Sequence, residues 1–249
     1  MQMQLIRSAT LRIEYAGRTF VIDPCLAAKQ TMPSYTGVSA NPLVDLPCAP
    51  EAVIDGIDLA LISHLHSDHF DPAARRVLPR YLPILCQPGD VAVLGLQGFS
   101  NLLPVDDVRT WQGISIRRVA GQHGSGEVLR EMGEASGFVF QAKEAPTVYW
   151  VGDTVWTEAV VDTLRRFQPK VVITHSGGAM WGDHVLIIMD AAQTIEVCRA
   201  APKSIVVAVH MEALDHLTVT RQDLRRYAEA SGVASDRLLV PEDGKILAF

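Results

Sequence analysis

Polar and apolar residues alternate near the beginning of the chain. The alternation runs through residues 10–15 and resumes over residues 19–23, after a turn at Ala16-Gly17-Arg18. A period of two on both sides of a short turn predicts a β-hairpin. Residues 29–50 carry Pro33, Pro42, Pro47 and Pro50 among small polar residues and predict a long loop. Loops of this length are uncommon and often functional, so a lid over a site is one hypothesis for this segment.

Further along, short apolar runs lead towards histidines and aspartates. The runs are residues 57–63 before His64, 114–119 towards His123, 147–152 before Asp153, 171–174 before His175, and 204–209 before His210. Their unbroken apolar character predicts strands buried on both faces. Helices are predicted after Asp71-Pro72, over residues 158–167, and over residues 221–230 with Thr220 as N-cap. The pattern favours a layered α/β fold, and no composition shift divides residues 1–249 into more than one domain.

The composition limits the possible partners. Hydrophobic residues make up 48% and charged residues 20%, which is typical of a globular protein. The net charge is −6 without a dense basic run, which argues against a nucleic-acid partner. The four cysteines are widely spaced and indicate neither a disulfide framework nor a structural zinc module. No signal peptide and no apolar run of about 20 residues is evident. We therefore expect a cytoplasmic protein without membrane attachment.

The densest chemistry lies in the run His64-Leu65-His66-Ser67-Asp68-His69. Imidazole nitrogens and carboxylate oxygens are the ligands that zinc and similar ions prefer. His64 and His66 can point the same way from an extended segment, whereas Asp68 and His69 follow a turn and can address a second position. One loop can thus serve two metals about 3.5–4 Å apart, as in two-metal hydrolases. Such a site needs ligands from elsewhere, and the candidates are His123, Asp153 and His210.

The order of these residues resembles the metallo-β-lactamase superfamily. His-x-His-x-Asp-His is followed by a distant His, by Gly-Asp-Thr at residues 152–154, and by a last His after a buried strand. Residues 11–24 resemble the opening hairpin of that superfamily. Residues 207–216 are most similar to the subgroup of L-ascorbate-6-phosphate lactonase. The resemblance implies a four-layer αββα sandwich with a metal site at one edge of its two sheets.

The resemblance also implies a ligand set and a mechanism. His64, His66 and His123 would hold one divalent ion, Asp68, His69 and His210 the other, and Asp153 would bridge them. A hydroxide bridging the two ions would be the nucleophile, and Asp68 would act in catalysis by orienting it or moving its proton. Zinc suits these ligands, and manganese or iron is also compatible. The di-iron, oxygen-reducing branch carries Glu where this chain has His66, so hydrolysis is favoured over redox chemistry.

The substrate remains open. We expect a small, anionic ester, lactone or phosphodiester. The alternatives are a nuclease or RNA-processing hydrolase of the same superfamily, and a metal-binding protein without catalysis. The sequence leaves the oligomeric state open. Further candidates for the pocket or its surroundings are Trp156, His175, Met180, Trp181, Asp183, His184, Glu212 and His216.

Overall fold

The computed structural model describes residues 1–182 and 184–249, so the candidate Asp183 lies outside the described residues. In chain order the strands are β1 Gln2–Arg7, β2 Thr10–Tyr15, β3 Arg18–Ile22, β4 Leu59–Leu61, β5 Ile84–Cys86, β6 Leu102–Pro104, β7 Val108–Trp111, β8 Ile114–Ala120, β9 Ser136–Gln141, β10 Val148–Trp150, β11 Val171–His175, β12 Met180–Trp181, β13 Val185–Leu186, β14 Ile205–Val209, β15 Leu238–Leu239 and β16 Ile246–Ala248. The helices are α1 Pro50–Ile54, α2 Pro72–Val77, α3 Val91–Leu96, α4 Gly126–Met132, α5 Glu158–Phe167, α6 Ala191–Ala200 and α7 Arg221–Ala230, with a 3-10 turn at Pro88–Asp90.

Two mixed sheets of seven strands form the centre of the fold. The first has the order β16-β1-β2-β3-β4-β5-β6 and the second β15-β14-β11-β10-β9-β8-β7. In the first sheet β3 to β6 are parallel, and in the second β10, β11, β14 and β15 are parallel. Strands β12 and β13 form a separate two-stranded ribbon. The predicted hairpin is confirmed as the antiparallel pair of β2 and β3.

The sheets pack face to face with helices outside. The core between them takes Leu11 and Phe20 from the first sheet and Phe138 and Trp150 from the second. The outer face of the first sheet packs against α1, α2 and α3, and that of the second against α5, α6 and α7. The predicted αββα sandwich is confirmed. No helix in the described part of the chain has the length and apolarity needed to span a bilayer.

Local capping chemistry determines where several helices begin. The Asp71 side chain accepts from the Ala74 amide at the start of α2. At α7, Thr220 and Asp223 form a capping box in which each side chain accepts from the other's backbone amide. The predicted limits of α5 and α7 agree with the structure. The predicted long loop is also present, with one isolated bridge between Met32 and Asn41 before α1 begins at Pro50.

The parallel strands determine where the polar side chains meet. Asp23 directly follows β3, and His64 comes three residues after β4, its parallel neighbour. In the second sheet Asp153 comes after β10, His175 ends β11, and His210 follows β14. Parallel strands end at the same edge of a sheet, so both sheets deliver functional groups to one edge of the sandwich.

Candidate metal centre

All seven predicted ligands lie in one cluster at this edge. The coordinating atoms of His64, His66 and His123 lie within 4.8 Å of one another, and so do those of Asp68, His69 and His210. These are the two triads that the resemblance implies. Six of the seven side chains are buried, and His66 is half-buried.

Asp153 lies between the two triads. Its Oδ2 is 3.2 Å from His69 Nε2, 3.4 Å from His123 Nε2 and 3.8 Å from His64 Nε2. Its Oδ1 is 3.8 Å from His210 Nε2. A single carboxylate therefore faces both groups, as a bridging ligand would.

Four of the histidines are oriented from behind by hydrogen bonds at Nδ1. The partners are Ser63 Oγ for His64 at 2.8 Å, Asp23 Oδ2 for His69 at 2.8 Å, the Ile187 carbonyl for His123 at 2.8 Å, and Ser8 Oγ for His210 at 3.0 Å. Partners of this kind fix the ring orientation and leave Nε2 for a metal. The fifth, His66, differs, since its Nδ1 lies 3.0 Å from His64 Nε2.

Asp23 is the main outer partner of the motif loop. One carboxylate oxygen accepts from the Ser63 amide at 2.8 Å, and the other from Ser63 Oγ and His69 Nδ1, each at 2.8 Å. The residue is fully buried. Asp23 was not predicted from sequence, although its position at the end of a predicted strand was a usable signal.

The electrostatics show opposing demands within the cluster. Burial, together with the neighbouring His69 and His66, holds the pKa of His64 well below 6.5. Burial also opposes charge on His69, but the carboxylates of Asp153, Asp68 and Asp23 outweigh it and raise its pKa well above 6.5. Burial disfavours the Asp153 carboxylate, yet the surrounding imidazoles hold its pKa well below 3.8. The buried carboxylates around His69 thus favour a positive charge within the cluster.

The hydrogen-bond pattern shows that a metal cation fits the cluster. His123 Nδ1 has to donate to the Ile187 carbonyl, so neutral His123 presents a lone pair at Nε2 to Asp153 Oδ2, 3.4 Å away. His69 donates to Asp23 and directs Nε2 at Asp153 and, at 3.3 Å, at His210 Nε2, and its raised pKa shows that the carboxylates favour a positive charge there, which a metal cation can supply in place of a proton. Acceptors that face each other repel unless a cation lies between them. The donor set and its burial suit divalent ions.

The other candidates take different positions. His175 is fully buried behind Asp153, and its Nδ1 is 2.5 Å from Asp153 Oδ1, so it supports the carboxylate and does not line the cavity. Glu212 pairs with Arg221 and caps the start of α7. His184 is exposed. Trp156 is half-buried and packs against the core under the second sheet, and neither it nor Met180, which is half-buried in β12, lines the cavity.

A cavity of about 250 Å³ opens onto the cluster. Four predicted ligands line it, together with two pocket candidates, His216 and Trp181. The sequence did not indicate Tyr35, Glu131, Met132 and Ile187, which complete the lining with Ser67 of the motif. Met132, Ile187 and Trp181 belong to one hydrophobic cluster and form an apolar wall.

Comparison with known proteins places the fold and the cluster in a family. The model of the "Beta-lactamase superfamily domain" matches residues 18–211, which is most of the chain. The chain belongs to the beta-lactamase superfamily. The UPF0173 protein YddR of Bacillus subtilis is 35% identical over 255 residues, which cover 100% of both chains.

Two solved structures are similar over the whole chain. An isothiocyanate hydrolase from Delia radicum gut bacteria has 35% identity and a TM-score of 0.93, covering 100% of this chain and 99% of its own. A possible metal-dependent hydrolase from Veillonella parvula has 34% identity and a TM-score of 0.96, with the same coverage. The predicted superfamily is thus confirmed, while similarity to the lactonase subgroup stays a prediction.

Proposed function

We propose that this chain, a metal-dependent hydrolase of the metallo-β-lactamase fold, holds two divalent ions and adds water to the electrophilic carbon of a small, uncharged substrate. His64, His66 and His123 would hold one ion, Asp68, His69 and His210 the other, and Asp153 would contact both. Divalent ions bound there would lower the pKa of water to roughly 7 and polarise the substrate. Zinc suits the imidazole-rich ligand set, and manganese or iron suits the carboxylate-bearing triad.

The choice of an uncharged substrate rests on the residues that line the cavity. No Lys or Arg is among the described residues that line the cavity, whereas Glu131 and the apolar wall are. An anionic substrate would meet no Lys or Arg there and would depend on the proposed metal ions alone, so the lining favours an uncharged substrate over the anionic metabolite expected from sequence. A phosphodiester is disfavoured for the same reason. Esters and lactones remain candidates because they are neutral.

An isothiocyanate is the substrate class that we would test first. It is small and neutral, and its central carbon is electrophilic, which fits a cavity with an apolar wall beside metal ligands. The 35%-identical neighbour named an isothiocyanate hydrolase supports this choice. The cavity, lined by His66, Asp68, His123 and Asp153, gives a substrate access to the proposed ions. That access favours an enzyme over a protein that only binds metal.

Asp68 is the residue of this chain that we assign to catalysis. It lines the cavity, and its Oδ2 lies 3.7 Å from His69 Nε2 and 3.5 Å from His210 Nε2. Burial disfavours its charge, but His69 and His210 hold its pKa well below 3.8, so it stays ionised. An ionised carboxylate at the cavity surface can accept a hydrogen bond from the attacking water and orient it.

A nucleic-acid substrate receives no support. Neither Lys nor Arg is among the described residues that line the cavity, and the net charge is −6. Nucleic-acid binding depends on a concentrated basic surface that neutralises phosphates. We therefore retain a small-molecule substrate and, as a prediction from sequence, a cytoplasmic location.

Metal content and hydrolysis together test the proposal. Protein purified without chelator is analysed for metal as wild type, His66→Ala and Asp153→Ala, with His184→Ala as the matched control because His184 is exposed. We expect about two equivalents in wild type and control and fewer in both other variants. Benzyl isothiocyanate, phenyl acetate, a γ-lactone and bis-p-nitrophenyl phosphate are then compared as substrates. Absence of metal after reconstitution with zinc and manganese, or turnover of the phosphodiester alone, would contradict the proposal.

A further inference from the structure

The loop segment after Met32 brings one aromatic side chain into the cavity. Tyr35 lines the cavity, and its hydroxyl lies 2.6 Å from the hydroxyl of Ser67, between His66 and Asp68 of the motif. Two hydroxyls carry two hydrogens, and their mutual bond uses one. The other can go to the neighbouring Asp68 carboxylate or to an acceptor atom of a molecule in the cavity. A tyrosine hydroxyl keeps its proton near pH 7, so Tyr35 can donate.

Asp215 holds this segment in place. Its carboxylate accepts from the Tyr35 amide at 3.1 Å, Thr36 Oγ1 at 2.7 Å and Asn41 Nδ2 at 2.9 Å, and also from the Ser34 hydroxyl. Its own amide donates to Asn41 Oδ1 at 2.9 Å. Hydrogen bonds to a charged acceptor are stronger than those between neutral groups. The position of Tyr35 is therefore imposed by the fold.

His216, which follows Asp215 in sequence, is the second polar side chain of interest in the cavity lining. It lines the cavity and is only 6% exposed, yet its Nδ1 has no hydrogen-bond partner among the described residues. Its ring meets that of Tyr35 edge to face at a centroid distance of 4.8 Å. Burial lowers the pKa of His216 to about 4, so the ring is neutral near pH 7. Nδ1 itself is closed off from the cavity, so the ring nitrogen that a ligand in the cavity can reach is Nε2, which also has no partner among the described residues.

We propose that Tyr35 and His216 form a recognition pair that hydrogen-bonds the heteroatom group of the substrate while the apolar wall holds its hydrocarbon part. This assignment rests on the proposed function and adds to it the residues that select the substrate. The pair is neutral, so it favours a group that both donates and accepts without net charge. An isothiocyanate is itself uncharged and offers nitrogen and sulfur as acceptors, and the addition of water across its C=N bond gives an N–H donor beside the remaining C=S sulfur.

Two variants remove the polar atoms and keep the rings. Tyr35→Phe removes one hydroxyl, and His216→Phe removes both nitrogens. Tyr81→Phe is the matched control, because Tyr81 is 76% exposed. The probes are benzyl isothiocyanate for turnover and O-methyl N-benzylthiocarbamate, a stable analogue of the adduct, for calorimetric binding to the zinc-loaded protein. We expect a Kd and a KM higher by about tenfold in each of the two variants, from one lost hydrogen bond, with unchanged zinc content.

The outcomes separate this pair from the proposed activity. If the wild type binds the analogue, does not hydrolyse the isothiocyanate, and both variants bind more weakly, the pair is supported and the activity is wrong. If the wild type hydrolyses the isothiocyanate and both variants bind the analogue as tightly as the control does, the pair is refuted and the activity stands. Weaker binding accompanied by loss of zinc would also refute the pair, since it would assign the two residues to the metal centre.

Discussion

Replacing Asp23 by Asn tests whether the buried carboxylate behind the motif loop orients a metal ligand. Its oxygens accept three hydrogen bonds, from the Ser63 amide, the Ser63 hydroxyl and His69 Nδ1, each at 2.8 Å. An asparagine of the same shape has one acceptor oxygen and one donor N–H₂ group. It cannot satisfy all three donors, so either orientation of the amide disturbs the loop.

The expected loss in zinc affinity follows from the two possible orientations of the asparagine amide. With the amide oxygen facing the Ser63 amide, the N–H₂ group faces His69 Nδ1, which then has to accept. Neutral His69 would carry its hydrogen on Nε2, the nitrogen that faces Asp153. With the amide flipped, two donors face each other in a fully buried place, which costs about 1–3 kcal/mol. Loss of such outer partners weakens metal binding by about 10–100-fold, equivalent to roughly 1.4–2.7 kcal/mol.

Zinc titration against a chromophoric chelator measures this effect for each of the proposed sites. We expect Asp23→Asn to weaken zinc binding at the proposed site that contains His69. The site of His64, His66 and His123 should be less affected. Asp58→Asn is the control, because Asp58 accepts from the Thr19 amide at 2.9 Å near the other end of the same strands. If Asp23→Asn bound both zinc ions as tightly as wild type and the control did, the orienting role would be refuted.

Three further outcomes are expected. Gly177→Ala would place a Cβ 2.2 Å from the His210 carbonyl oxygen and 2.7 Å from the Leu217 side chain. The free energy of unfolding, measured by urea denaturation, should therefore fall by about 3 kcal/mol. An unchanged denaturation midpoint would contradict this. Asp215→Asn should release the segment that carries Tyr35 and raise KM several-fold at unchanged zinc content, with the exposed Asp236→Asn as control. Zinc removal by chelator should lower the melting temperature, since zinc at 100 times its Kd stabilises by about 2.7 kcal/mol; equal melting curves would argue against a folded-state metal site.

Much of the local structure could be predicted from sequence. The limits of α5 and α7, the start of α2 at Pro72 and the hairpin of β2 and β3 all agree with the structure. These features depend on neighbours in sequence, such as a capping side chain or a period of two. Strand β1 was not predicted, although residues 2–5 alternate polar and apolar and the strand pairs locally with β2; its other neighbour, β16, comes from the opposite end of the chain.

The proposed ligands were accessible to sequence analysis for a related reason. Four of them lie within six residues and form a recognisable motif. The other three follow buried strands, and this position in the sequence indicated where they would lie in the fold. Their partners were not accessible. Ser8 lies 202 positions from His210, which its hydroxyl orients, and Tyr35 is held by Asp215, 180 positions away.

The sequence by itself thus determined the fold class, the family resemblance and the residues able to hold metal, because these follow from local periodicity and from a compact motif. Only the tertiary structure decided what surrounds that centre: Asp23 behind His69, His175 behind Asp153, and the neutral pair of Tyr35 and His216 beside an apolar wall. The physical reason is that orientation and substrate choice depend on hydrogen bonds and packing between distant segments. Those contacts exist only when both sheets end at the same edge of the sandwich.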